Sequence, residues 1–170
     1  MISNVIYSRW GKRIPLLDVF LLSSGFVLRV LFGCALLSAT ASNWLLLCSS
    51  NLALLLALLK RRADVAMGIG SDHRFSLKGY NLPFLDQAIG ITSGMTLMSY
   101  ALYCIESRVL ATGREFATLP FVVFGVLDYL RMCIVNRGGG YPVELLIASP
   151  SAWICGVGWV LATLWSVKLP

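Results

Sequence analysis

The chain has 170 residues, of which 58% are hydrophobic and only 13% are charged. A soluble domain carries roughly 25% charged residues, so this composition excludes an ordinary soluble protein and indicates one whose solvent is the lipid bilayer. The formal net charge of +6 comes from short basic stretches beside the apolar segments, which indicates membrane topology rather than a nucleic-acid partner.

Five apolar segments are about long enough to cross roughly 30 Å of hydrocarbon as helices. They are residues 15–37, 43–59, 82–105, 116–135 and 144–167. The second segment is the shortest, and Trp44 and Lys60 bracket it as interfacial anchors. We therefore predict an all-α fold, a polytopic transmembrane helix bundle that forms a single domain over residues 1–170. The longest connection, residues 60–81, is predicted to be a polar cytoplasmic loop.

Basic residues flank the two ends of these segments unequally. One side has Arg9, Lys12, Arg13, Lys60, Arg61, Arg62, Arg74, Lys78 and Arg137, whereas the other has Arg108, Arg114 and Lys168. Lysine and arginine near the ends of membrane spans prefer the cytoplasm. The distribution thus predicts a multi-pass protein of the plasma membrane with its N-terminus in the cytoplasm and its C-terminus outside.

The first segment contains two ionisable residues, which are costly inside a membrane. Asp18 and Arg29 are eleven residues apart, about three helical turns, so they share a face with Gly25. They are about 16 Å apart along the axis, too far to pair with each other. This face is predicted to point into the bundle or a cavity, and Arg29 then needs either an ion-pair partner on another helix or an anionic ligand.

The second segment ends in a cluster of charges. Lys60, Arg61 and Arg62 are followed by Asp64, which lies four residues after Lys60. Several fixed cations at the mouth of a cavity suit a phosphate or diphosphate ligand. Taken alone, the same residues are better explained as anchors at the cytoplasmic membrane surface.

The third and fourth segments carry weaker signals. Asp86 lies near the start of the third, and Gly90 and Gly94 form a GxxxG pattern that favours close helix packing. Asp128 and Arg131 are three residues apart in the fourth, so they can neutralise each other.

Several stretches, taken in order, resemble the UbiA superfamily of membrane prenyltransferases. They are Tyr7–Val19, Gly25–Arg29 and Lys60–Asp64. His73–Tyr80, Phe84–Gln87 and Gly138–Leu146 narrow the resemblance to the branch of decaprenyl-phosphate phosphoribosyltransferases. Members of this superfamily typically have nine transmembrane helices, and this chain resembles the last five.

The resemblance implies a transferase that joins phosphoribosyl diphosphate to polyprenyl phosphate, for the synthesis of a lipid-linked pentose used in cell-wall polysaccharide. It also implies Mg²⁺ as cofactor, but the family's N-D-x-x-D-x-x-x-D motif is missing from this chain. The enzyme is therefore expected to need an N-terminal partner chain, or self-association, to be complete. Two further departures are Leu56, where the branch has tyrosine, and Asp64, where it has glutamate.

The resemblance also implies roles for nine side chains. Lys60, Arg61, Arg74, Lys78 and Tyr80 would bind substrate phosphates; Asp18, Arg29 and Asp86 would line the cavity; Asp64 would hold Lys60 in place. Two alternatives remain open from the sequence. One is a non-catalytic membrane subunit or decayed fragment, and the other is a small transporter with Asp18 and Arg29 along its pathway.

Overall fold

A computed structural model describes residues 14–68, 77, 79–107, 110–135 and 147–167. Within these residues the chain forms five α-helices, which confirms the all-α prediction. They are α1 (Leu17–Leu36), α2 (Asn43–Ala66), α3 (Leu82–Glu106), α4 (Leu119–Ile134) and α5 (Pro150–Ser166). The chain divides into two compact units, residues 1–96 and 97–170, and the division falls within α3.

Three of the five helices are long and apolar enough to cross a bilayer, namely α1, α2 and α3 with 20, 24 and 25 residues. α4 and α5 have 16 and 17 residues, or about 24 and 26 Å, somewhat less than the thickness of the hydrocarbon core. The described residues therefore indicate a multi-pass membrane protein. The apolar stretch of α1 is only 11% buried, which suits a helix in contact with lipid.

Helices α1 and α2 pack against each other as a hairpin, joined by the short turn of residues 37–42. Ser42 caps the start of α2, because its hydroxyl oxygen accepts a hydrogen bond from the backbone N–H of Leu45 at 3.1 Å. The buried side chains of this hairpin include Val19, Leu55 and Leu59. The short link thus brings the start of α1 close to the end of α2.

The end of α2 lies later than the apolar pattern predicted. The second span was expected to end at Leu59, but the helix continues to Ala66. Lysine, arginine and alanine are good helix formers, and the helix stops only before Gly68, which takes the left-handed conformation with φ of 62°. The charged residues Lys60 to Asp64 therefore lie on the same helix as the apolar segment before them. Residues 69–76 and 78 of the predicted loop lie outside the described residues.

Helix α3 begins at Leu82, as the sequence predicted. The side-chain oxygen of Asn81 accepts a hydrogen bond from the N–H of Phe84 at 2.8 Å and caps the helix. Leu85 and Ile89 in its first turns are buried in the first unit. The start of α3 is thereby held near the functional site described below.

Helix α4 begins later than predicted. α4 starts at Leu119 rather than at residue 116, after a turn of residues 115–118. α5 starts at Pro150, because proline fits the first helical position but disfavours helical geometry in the residue before it. The predicted start of the fifth span, residues 144–146, lies outside the described residues.

The close helix approach predicted at Gly90 and Gly94 is not seen in the described part of the chain, where a Cβ at either position would meet no atom within 4 Å. A close approach occurs instead between α4 and α5. A Cβ at Gly158 would overlap the Phe121 ring, lying 2.8 Å from its Cδ1 atom. Glycine is therefore required at position 158 for the packing of these two helices.

Candidate functional site

A buried cluster of charges lies where α1 begins and α2 ends. Asp18 is in the first turn of α1, and Arg61 is in the last turns of α2. The Nε atom of Arg61 donates to Asp18 Oδ2 at 2.7 Å, and the two side chains are 2% and 1% exposed. The Nη1 atom of Arg61 donates to Asp64 Oδ2 at 2.9 Å. One buried guanidinium is therefore held between two carboxylates.

Tyr80 completes the cluster from the segment that precedes α3. Its hydroxyl donates to Asp18 Oδ1 at 2.7 Å and accepts a hydrogen bond from the N–H of Leu16 at 2.6 Å. The N–H of Val19 also donates to Asp18 Oδ1, at 2.9 Å. Burial raises the pKa of Tyr80 above its ordinary value, so the phenol stays protonated at neutral pH and donates to Asp18.

The backbone that enters α1 is strained at the same place. Leu16 has φ of 67°, a conformation that costs a bulky residue about 1–3 kcal/mol. The neighbouring residue, Pro15, lies so close to Gly79 that a Cβ at position 79 would be 3.0 Å from Pro15 Cβ and would overlap Pro15 Cγ. Such strain persists only where surrounding contacts hold it. The hydrogen bond from Leu16 to Tyr80 is one such contact.

Lys60 and Arg62 flank Arg61 on α2 and have different surroundings from it. The Nε atom of Arg62 donates to Asp86 Oδ1 across to the start of α3, in a pair whose carboxylate is 45% exposed. Lys60 is exposed, and no carboxylate pairs with it among the described residues. Lys60 is therefore a solvent-accessible cation directly beside a buried, neutralised one.

The structure groups the predicted site residues differently from the sequence analysis. Asp18, Arg61, Asp64 and Tyr80 come together, whereas Arg29 is exposed on α1 with its guanidinium 5.2 Å from the centre of the Phe26 ring. Arg74 and Lys78 lie outside the described residues.

The contacts of four predicted site residues can be compared with their expected roles. Asp64, expected to hold Lys60, pairs with Arg61, because residues three apart on a helix also face each other. Asp18, expected to face the bundle or a cavity, is enclosed by Arg61 and Tyr80. Arg61 and Tyr80 are both buried and bonded to Asp18, and their expected binding of substrate phosphate stays a prediction.

The partner of Asp18 could have been found from the sequence. Asp18 and Arg61 lie the same number of residues from the midpoint of the turn at 37–42, so an antiparallel hairpin places them side by side. The contact between Arg62 and Asp86 carried no such signal, because it depends on how the start of α3 folds back against α2. Arg62 was thus missed as a residue of this site.

The described residues do not fit a magnesium ion. Mg²⁺ prefers oxygen ligands in an octahedral arrangement. Within the described ranges, no group of three histidine, cysteine, aspartate or glutamate side chains is placed to hold a metal ion. The two carboxylates that come nearest to this requirement, Asp18 and Asp64, are both bound to Arg61.

An open groove of about 410 Å³ runs along the α1–α2 hairpin. It is lined by Phe20, Ser23, Ser24, Val27, Leu28, Ser50, Asn51 and Leu54. The three serine hydroxyls donate to backbone carbonyls of their own helices at 2.8–2.9 Å. Their protons are thus already used, and the groove offers an occupant mainly apolar surface.

Together, the fold and the cluster define a multi-pass helical membrane protein with a buried ion-pair network at the ends of its first two helices. The chain is distantly homologous to the decaprenyl-phosphate phosphoribosyltransferase of Corynebacterium glutamicum, with 28% identity over 165 residues. This similarity confirms the resemblance inferred from the sequence motifs. It covers 93% of this chain and 49% of that protein, so the chain spans about half the length of the curated relative it matches. No protein-family model matches the chain.

Proposed function

We propose that this chain is the C-terminal half of a membrane phosphoribosyltransferase that transfers a phosphoribosyl group from phosphoribosyl diphosphate to polyprenyl phosphate. The observation that carries the proposal is the exposed cation of Lys60 on α2, beside the buried Asp18–Arg61 pair. The distant homology to a decaprenyl-phosphate phosphoribosyltransferase supplies the substrate class.

In this reaction a phosphate oxygen of the lipid attacks the anomeric carbon of the sugar, and pyrophosphate leaves. The developing negative charge on the leaving group is stabilised by positioned cations, which is commonly the largest contribution to such catalysis. Lys60 is the described residue suited to this role. Arg74 and Lys78, which the resemblance assigns to the sugar phosphates, would supply further positive charge.

The groove along α1 and α2 supports a lipid substrate. Leu54, at one end of the groove, precedes Lys60 on α2 by less than two helical turns. A polyprenyl chain lying in the groove would therefore bring its phosphate to the level of the charged end of α2. The apolar lining favours such a chain over the polar solute that a transporter would carry.

The proposal includes a topology and a partner. The five helices would all cross the plasma membrane, with the N-terminus and the end of α2 in the cytoplasm and the C-terminus outside. Mg²⁺, which the resemblance implies as cofactor, would be held mainly by carboxylates of an N-terminal segment or of a partner chain. The same segment or chain would also cover polar groups such as Arg29, whose exposure to lipid is costly.

The first test is equilibrium binding of radiolabelled phosphoribosyl diphosphate and of pyrophosphate to the full chain in nanodiscs. We expect Lys60→Gln to weaken binding roughly tenfold or more, because a charge-assisted hydrogen bond to phosphate is lost. The matched control is Arg131→Gln, which removes one exposed positive charge from α4. The control should bind as the wild type does.

The second test asks for the reaction itself. The chain is co-reconstituted in proteoliposomes with the N-terminal half of the C. glutamicum relative, polyprenyl phosphate and Mg²⁺, and labelled lipid product is extracted. Product that depends on both chains supports the transferase. If the wild-type chain binds neither ligand and no product forms, the proposal is wrong and a non-catalytic membrane subunit explains the cationic helix end better.

A further inference from the structure

We propose that Arg61 is a positioning residue. Its bond to Asp18 fixes the end of α2, so that Lys60 presents its charge to a phosphate ligand and Arg61 does not. This inference rests on the proposed function, and it replaces the role in phosphate binding that the sequence resemblance gave to Arg61. It also assigns Asp18, Asp64 and Tyr80 to the support of Arg61 rather than to contact with substrate.

The first argument is access and charge. Arg61 is 2% exposed, so a phosphate in the cavity cannot reach its guanidinium without displacing what covers it. Its Nε and Nη1 atoms already donate to two carboxylates. A phosphate approaching Arg61 would therefore meet the negative charges of Asp18 and Asp64 within about one hydrogen-bond length of the cation, and like charges repel.

The second argument is that Asp18 is held independently of Arg61. Its Oδ1 atom receives hydrogen bonds from Tyr80 and from the N–H of Val19 at 2.7 and 2.9 Å, while Oδ2 receives Arg61. If Arg61 swung out toward a ligand, the buried Asp18 carboxylate would lose its ion pair with Arg61, which is unfavourable. Asp18 is therefore a fixed anchor that keeps Arg61 in place.

The third argument concerns the neighbours of Arg61. Successive residues on an α-helix project about 100° apart, so fixing Arg61 against α1 also fixes the directions of Lys60 and Arg62. Arg62 is directed toward Asp86, whereas Lys60 is left exposed. The buried pair thus sets the orientation from which Lys60 can meet a ligand.

Replacing the ion pair of Asp18 and Arg61 with two neutral amide side chains tests whether Arg61 positions Lys60 or binds the ligand directly. In Asp18→Asn/Arg61→Gln, the asparagine amide can donate to the glutamine oxygen, and the glutamine amide can donate to Asp64. Both buried charges are removed while the hydrogen-bonded connection between α1 and α2 is kept. Each single variant instead removes the ion pair between Asp18 and Arg61 while one of the two buried charges remains.

The experiment compares the wild type, the two single variants, the double variant and Lys60→Gln, each as the full chain in nanodiscs. Three quantities are measured: the melting temperature, amide hydrogen exchange over residues 57–66, and the affinity for pyrophosphate. We expect each single variant at position 18 or 61 to lose roughly 10 °C of melting temperature and to exchange faster over residues 57–66. The double variant should recover the melting temperature and the slow amide exchange of the wild type. Its affinity for pyrophosphate should be within about threefold of the wild-type affinity.

The outcomes distinguish this inference from the proposed function. A double variant that is folded and protected but binds as weakly as Lys60→Gln shows that Arg61 contacts the ligand, which overturns the inference. If the wild type does not bind pyrophosphate, the proposed function fails, and melting and exchange still decide whether Arg61 fixes the end of α2. If the double variant lost as much melting temperature as the two single variants together, the inference would also be overturned.

Discussion

The N–H of Leu16 donates a 2.6 Å hydrogen bond to the hydroxyl of Tyr80, across 64 positions of the chain. Leu16 has a strained backbone with a positive φ of 67°, and the same hydroxyl donates to Asp18. A single phenol therefore holds the strained entry to α1 and orients the carboxylate that binds Arg61. The stability of the site should therefore depend on this hydroxyl.

The first prediction concerns the Tyr80 hydroxyl itself. Tyr80→Phe leaves the N–H of Leu16 without its acceptor and removes one donor from Asp18, so we expect the free energy of unfolding to fall by about 1–3 kcal/mol. The measurement is denaturant unfolding in detergent micelles, followed by circular dichroism. Tyr103→Phe is the control, since the hydroxyl of Tyr103 makes no hydrogen bond within the described ranges. Equal stability of the two variants would contradict the assigned role.

The second prediction follows from the raised pKa of Tyr80. The phenol is protonated in the folded chain at a pH where the unfolded chain, with an ordinary pKa of about 10, has begun to lose the proton. The stability that Tyr80 contributes is therefore fully present below about pH 10 and is lost as the pH rises toward the folded pKa. The difference in unfolding free energy between the wild type and Tyr80→Phe should be constant from pH 7 to 9 and should shrink above pH 10. A difference that grows with pH would rule this out.

The third prediction concerns the contact between Pro15 and Gly79. An alanine at position 79 would overlap the rigid proline ring, so we expect Gly79→Ala to cost about 1–3 kcal/mol and to speed amide exchange over residues 14–19. Gly90→Ala is the matched control, because a Cβ there meets nothing within 4 Å and alanine is the better helix former by up to about 1 kcal/mol. Loss of stability at position 90 but not at position 79 would refute the assigned packing.

The fourth prediction addresses the pairing of α4 and α5. A methyl group at Gly158 would press on the Phe121 ring, so Gly158→Ala should lower the unfolding free energy by about 1–2 kcal/mol. Gly156→Ala, in the same helix but with no atom within 4 Å of its Cβ, should be neutral or slightly stabilising. Combining Gly158→Ala with Phe121→Val should restore part of the lost unfolding free energy. If the double variant were as unstable as Gly158→Ala alone, contact with the Phe121 ring would not be the cause of the loss.

The fifth prediction compares two aspartates. Asp86 pairs with Arg62 at an exposed position, where ion pairs contribute about 0–1 kcal/mol and weaken with salt. Asp86→Asn should therefore change the unfolding free energy by less than about 1 kcal/mol, and by less at 1 M than at 0.1 M sodium chloride. Asp18→Asn, which removes one of the two carboxylates that neutralise the buried Arg61, should cost about 3–5 kcal/mol with little dependence on salt. Similar losses of unfolding free energy in the two variants would contradict the expectation that the buried ion pair contributes more to stability than the exposed one.

Local patterns were sufficient for much of the helical framework. The long apolar runs predicted α1, α2 and α3 as spans, and the start of α3 at Leu82 followed from the polar residues before it. The end of α2 could not be predicted from hydropathy, because a helix continues through charged residues until a residue such as Gly68 leaves the helical conformation. The start of α4 was missed for a related reason, since apolar character extends beyond the residues that join that helix.

The sequence by itself determined that this protein belongs in a membrane, that its helices are few and apolar, and that its charges gather at helix ends. Those properties depend on composition and on neighbours within a few positions. Only the tertiary structure decided which charges meet. The hairpin register places Asp18 against Arg61, the segment before α3 brings Tyr80 to the same carboxylate, and Lys60 stays exposed although it is adjacent to Arg61. Ion-pair partners depend on distances between helices, which no single helix specifies.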